Sequence, residues 1–308
     1  MSSLRRHWTM LSPIAFGLAS LVGFVVIGIP FERNAAFAWL LVGLLCFSVT
    51  DLRGYLRGLI FDWLPLIAIL LAYDSLRATA GRLEAVRYLP QIHADRTLFG
   101  GQVPTVTLQR WLWHGHVSWY DVLCWAVYLT HFLFTPVLAA VLWRIDRKRF
   151  KSFTRLVIAL SFAGLATYAL YPAAPPWLAS QKHLIAPITR IIPQVWSALP
   201  IHGAGSVVES GYQLANNVAA VPSLHAAFSL LIAITVWPQR RRWLRPLVAA
   251  YPLAMAFSVV YTGEHYVTDV LLGWIYTAVI VVAARAMARR RVEHPATVPA
   301  VRPSPEPA

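Results

Sequence analysis

Apolar residues run along this chain in long stretches, and the polar residues gather between them. The stretches lie near 11–30, 35–50, 58–76, 119–143, 156–172, 223–237, 247–262 and 266–284. A protein folded in water could not hide so many runs of this length, so a bilayer must be the solvent. The pattern predicts an all-α fold, a polytopic membrane helix bundle of about eight transmembrane helices. The first run follows Arg5 and Arg6 without a small-residue cleavage site, so it reads as a retained span and not as a signal peptide.

The polar breaks orient the bundle. Segment 144–155 carries Arg144, Arg147, Lys148, Arg149, Lys151 and Arg155 against Asp146 alone. Segment 238–246 carries Arg240, Arg241, Arg242 and Arg245, and the last apolar run is followed by Arg285, Arg289, Arg290 and Arg291. The positive-inside bias assigns these segments, with Arg5 and Arg6, to the cytoplasm. Eight spans put them all on one side, together with the short loop bearing Arg53 and Arg57. Seven spans would separate the termini. The expectation is an integral protein, of the plasma membrane, with both termini cytoplasmic. Two long segments, 77–118 and 173–222, then face outward; both are rich in Pro, Gly, Trp and His, as loops that cover a site often are. The expected organisation is N-terminal spans and first outer loop over 1–118, a catalytic membrane core over 119–285, and a disordered cytoplasmic tail over 286–308, where Pro and small residues cannot build a core.

Composition changes this picture little. Of 308 residues, 58% are hydrophobic and 13% charged, which leaves room for one membrane domain and short tails. The net charge of +14 would suit nucleic acid, but its basic residues sit in the short loops, so no nucleic-acid partner is expected. Cys46 and Cys124 lie inside apolar runs and read as buried thiols, neither disulfide nor metal ligands.

Two polar clusters stand where outer segments turn into apolar helices. The first is VPSLHAAF, 221–228, in which Pro222 suits the first helical position. Ser223 and His225 then fall in the first turn, where free backbone N–H groups and the helix dipole attract an anion such as phosphate. A plain Ser223 cap beside an interfacial histidine would look the same. The second cluster is YTGEHYVTDVLLGW, 261–274. Its His265 and Asp269 are four residues apart and share one helix face. A carboxylate there fixes one imidazole nitrogen and leaves the other for attack; the alternative is a structural His–Asp pair. The charge pattern places both histidines on the same side, so they could meet one phosphorus, as in-line displacement requires.

These residues resemble the type 2 phosphatidic acid phosphatase superfamily, whose signature pairs a PS-x-H motif with a later H-x-x-x-D motif. Here they read Pro222-Ser223-Leu224-His225 and His265-Tyr266-Val267-Thr268-Asp269. PSLH, YPAAPPWL at 171–178 and YTGEHYVTD are closest to the branch of inositolphosphotransferases, the inositol phosphorylceramide synthases. The resemblance covers about 120–285. It implies an acid-phosphatase/haloperoxidase-like catalytic core in which His265 attacks phosphorus and forms a phosphohistidine. Asp269 would orient it, His225 would protonate the leaving oxygen, and Ser223 would hold a phosphate oxygen. No cofactor and no metal are implied, provided basic side chains and backbone N–H groups neutralise the phosphate.

The chain departs from the wider superfamily in its basic motif residues. Ser258 is followed by Val259 where an arginine is common, and no K-x-x-x-x-x-x-R-P motif stands upstream. Arg77, then Arg82, at the outer end of the third run are the first candidates to replace that cation, ahead of Lys182 and Arg190. Interfacial snorkelling is the other reading of both arginines. His131, in the middle of an apolar run, is a candidate site-lining residue, as are Trp177 in the APPWL segment and Tyr261. His114 and His116 in WLWHGHVSW lack further ligands at metal-site spacing. The motifs leave three functions open. One is transfer of a phospho-head group, inositol phosphate-like, from a phospholipid or polyprenyl-phosphate substrate to a hydroxyl acceptor. The second is hydrolysis of phosphatidate or a polyprenyl phosphate, and the third a non-catalytic lipid-binding or transport role.

Overall fold

The computed structural model describes residues 3–26, 33–80, 84–199 and 216–293. Regular structure among these residues is helical, and β pairing is limited to two isolated bridges, Arg87 with Ala173 and Ala173 with Ala219. Helices α1 (Ser3–Val26) and α2 (Arg33–Phe47) pack side by side. Asp51 caps α3 (Leu52–Gly58) by accepting the Gly54 N–H, and one π-helical turn, Leu59–Trp63, leads into α4 (Leu64–Ala80). The next two helices, α5 (Leu89–Leu98) and α6 (Pro104–Leu112), each carry proline in the first two positions, where a missing N–H costs nothing. Ser118 and Asp121 form the capping box that starts α7 (Trp119–Ile145). Asp146 ends it and caps α8 (Arg147–Leu170) through the N–H groups of Lys148 and Arg149. The remaining helices are α9 (Pro176–Gln181), α10 (Ile191–Ala198), α11 (Leu224–Val236), α12 (Arg245–Tyr261) and α13 (Val267–Glu293).

Among the described residues, five helical stretches are long and apolar enough to cross a membrane: Leu52–Arg77, Trp119–Ile145, Arg147–Leu170, Arg242–Tyr261 and Val267–Arg290. Three shorter apolar helices, Leu11–Gly23, Phe37–Phe47 and Leu224–Val236, occupy the other expected runs. The second and third fall short of the roughly 20 residues a straight crossing needs, while the first lies within the 24-residue α1. Helix length therefore supports an integral membrane protein with five spanning candidates, and it does not establish the count of eight. Large apolar side chains such as Phe61, Leu170 and Val282 face outward, as lipid contact requires.

The short helix α11 is central. It packs against α7, α8, α12 and α13, and its Leu224, Phe228, Leu231 and Ile232 join the main core with Trp63, Trp143, Phe150, Phe153 and Tyr168. Three expectations change. The two long segments expected to face outward are not bare loops, since they fold α5 and α6, and α9 and α10. The tail expected from 286 is still helical through Glu293, while 294–308 lie outside the described residues. Cys124 is buried as expected, but Cys46 is only partly so; both are free thiols.

Candidate active site

The start of α11 differs from its sequence reading in register. Ser223 is the N-cap, not Pro222 the first helical residue, and the fully buried Ser223 hydroxyl accepts the Ala226 N–H at 3.3 Å. That leaves the backbone N–H groups of Leu224 and His225 with no partner among the described residues. The entry to α11 is fixed from outside. Tyr168 donates its hydroxyl to the Pro222 carbonyl at 2.8 Å, and the Ser223 N–H donates to the Asp269 carbonyl at 3.0 Å.

The second histidine is delivered by a local turn that the sequence YTGEH encodes. Helix α12 ends at Tyr261 with Thr262 as C-cap, and Gly263 follows at φ +85°. Gly263 N–H bonds the Val260 carbonyl and Glu264 N–H bonds the Val259 carbonyl, which together make a Schellman motif. A side chain at Gly263 would be strained at that φ. The turn reverses the chain within a few residues and sets His265 just ahead of α13.

The two histidines meet. His265 Nε2 lies 3.4 Å from His225 Nδ1, and the ring centroids are 5.5 Å apart. His265 Nδ1 stands 3.5 Å from Asp269 Oδ2, longer than a good hydrogen bond, as unliganded sites often show. That oxygen also accepts the Tyr266 N–H at 2.9 Å, and the other Asp269 oxygen is buried without a partner. His225 is held by rings: Tyr128 stacks on it at 4.6 Å and His131 lies at 4.2 Å. Its Nε2 is buried and unpartnered.

A profile of the PAP2 superfamily matches residues 92–283, more than half of the chain. The chain belongs to the PAP2 superfamily. It is also 32% identical over 135 residues to a phosphoinositol dihydroceramide synthase of Bacteroides thetaiotaomicron. That match covers 42% of this chain and 43% of the relative, so the chain matches less than half the length of that protein. No solved structure matches the chain.

Within this PAP2 chain, the structure brings His225, His265, Asp269, Ser223 and His131 together. Arg77 sits near enough that its positive charge is felt at both His131 and His225. Its Nε is buried with no hydrogen-bond partner, while its carbonyl accepts from Asn216. Arg82 lies outside the described residues. Two expected lining residues are occupied elsewhere. Tyr261 is fully buried and donates its hydroxyl to Asp121 at 2.6 Å. Trp177 lies beneath the guanidinium of Arg190, which is itself paired to Glu264 at 2.8 and 2.9 Å. His114 and His116 have rings 6.4 Å apart, and no metal-binding group of three or more such residues occurs among the described residues.

Two positioning features were missed in the sequence. Asp95 of α5, fully buried, accepts the N–H groups of Val267 and Thr268 at 3.2 and 3.0 Å. Burial pushes its carboxyl above the usual range, against the downward pull of those bonds. Gly273 lets α13 touch the start of α11, because a Cβ there would lie 2.3 Å from the Ser223 carbonyl oxygen. The signal for Gly273 was a lone glycine inside an apolar helix.

Proposed function

We propose that this PAP2 protein transfers a phosphoinositol-type headgroup from a lipid-linked donor to the hydroxyl of a ceramide-like lipid. The observation that carries the reading is the contact of His265 Nε2 with His225 Nδ1, with Asp269 behind the nucleophile. The His265 imidazole attacks phosphorus, and a P–N bond forms as the P–O bond to the diacylglycerol breaks. His225 gives its proton to that departing oxygen. It then takes a proton from the acceptor hydroxyl, whose oxygen attacks phosphorus and releases His265. The two nitrogens now touch, so an entering phosphoryl group takes the place of their contact. The unpaired N–H groups of Leu224 and His225, the Ser223 hydroxyl and Arg77 supply donors for the phosphate oxygens.

The relative's name favours transfer over hydrolysis, since the same residues serve either and the incoming hydroxyl decides between them. A passive carrier would have no use for this assembled His–His–Asp set. The reading includes a bundle of eight helices in the plasma membrane with the histidines toward the outer face. Its support is the basic end of the molecule: Arg149 donates to the Thr235 carbonyl, at the other end of α11 from His225. The test supplies purified protein in detergent with an inositol phospholipid, with and without dihydroceramide. Transfer predicts an inositol-bearing sphingolipid formed only when both lipids are present. Release of the headgroup to water at the same rate without acceptor would assign hydrolysis instead.

A further inference from the structure

We infer that Asp95 is a positioning residue for the nucleophile, an N-cap supplied in trans that keeps Asp269 available to His265. The inference rests on the proposed roles of His265 and Asp269. Helix α13 begins at Val267, and the Val270 N–H bonds the Tyr266 carbonyl, so Tyr266 occupies the N-cap position. A capping box needs two reciprocal bonds, one from the third helical side chain back to the N-cap N–H and one from the N-cap side chain to the first-turn N–H groups. Asp269, the third helical residue, makes the first by accepting the Tyr266 N–H. Tyr266 cannot make the second, because its hydroxyl lies at the far end of a fully buried ring and has no partner.

Asp95 makes that second bond from a helix 172 residues earlier in the chain. One carboxylate oxygen takes Val267 N–H and the other takes Thr268 N–H. Both N–H groups belong to the residues between His265 and Asp269. Without Asp95 they would be orphan donors in a partly buried turn, where the unpartnered acceptors include the free oxygen of Asp269. Turning that carboxylate toward its own helix would draw it from His265, which it now faces at 3.5 Å. Asp95 thus acts on the reaction through Asp269 and touches no substrate.

The experiment compares Asp95→Ala, Asp95→Asn and His265→Ala in the lipid transfer assay, with thermal stability measured on each purified protein. Asp95→Ala is expected to lower kcat about 10- to 100-fold with KM little changed, as when an orienting partner is removed. Asp95→Asn, which retains one acceptor oxygen, is expected to fall between it and the parent. A merely structural cap would lower stability and the folded fraction while leaving kcat per folded molecule at the parental value. Parental kcat in Asp95→Ala, or a loss matching only the unfolded fraction, overturns the inference. Full activity in His265→Ala overturns the reading of the site itself, so the two failures are distinguishable.

Discussion

At the scale of residues, the site solves a problem of charge. A phosphate diester needs cationic or N–H donors around its oxygens, and the arginine common beside the second motif is replaced here by Val259, which is buried and apolar. Arg77 is the basic side chain whose charge acts on both His131 and His225, and its Nε is buried without a partner. Arg77→Ala is predicted to lower kcat/KM for the phospholipid by about 100-fold or more, the loss seen when a donor to a developing oxyanion is removed. Arg77→Lys should recover part of it, since lysine keeps the charge and loses the planar fork. Equal kcat/KM in parent and Arg77→Ala, measured by initial rates, would remove Arg77 from the site. The histidines were legible in the sequence because each lies in a short motif whose partner is local: Ser223 two residues before His225, Asp269 four after His265. The surroundings of Arg77 were not, because its helix α4 packs against α8, which is remote in sequence.

At the scale of elements, the geometry depends on how closely α13 lies against the start of α11. Three contacts fix it: the Ser223 N–H to the Asp269 carbonyl, the Thr277 hydroxyl to the Ala227 carbonyl at 2.9 Å, and the bare backbone of Gly273 beneath Ser223. Gly273→Ala should push the helices apart, because the obstructing atom is backbone and cannot turn aside. The expected cost is about 1–3 kcal/mol of stability, with a larger fall in kcat than in folded yield. Transfer rates and thermal unfolding of the same preparation check this, and an unchanged kcat would show that the crossing is looser than it looks. Sequence reading found most apolar runs and the polar entry at 261–274, but not the turn at Gly263, although its αL position, caps and following helix are contiguous. It placed Pro222 two positions too far into α11. It missed α5, α6, α9 and α10 because short, mixed helices carry weak periodicity. Asp95 had no local signal of its own; the available hint was a helix start at Tyr266 with Asp269 in place and no side chain able to return the bond.

At the scale of the whole molecule, α11 explains why a short helix can sit inside a membrane bundle. Its 13 residues begin against the middle of α7, where Tyr128 and His131 pack on His225, ten and thirteen residues into that 27-residue helix. The end that carries His225 is therefore recessed below the start of α7. Two of the short helices brace the adjoining turn between α12 and α13: α5 through Asp95, and α6 through Gln109, which bonds Thr189 and the Tyr261 carbonyl. Charge parity read from the sequence could place both histidines at one end, but not this depth, which follows from packing. The most direct test of the whole account is to quench the protein during turnover with an inositol phospholipid labelled at phosphorus and count label bound to the chain. The account predicts an acid-labile phosphorus–histidine adduct in the parent and none in His265→Ala. Label of equal amount and lability on His265→Ala would contradict it.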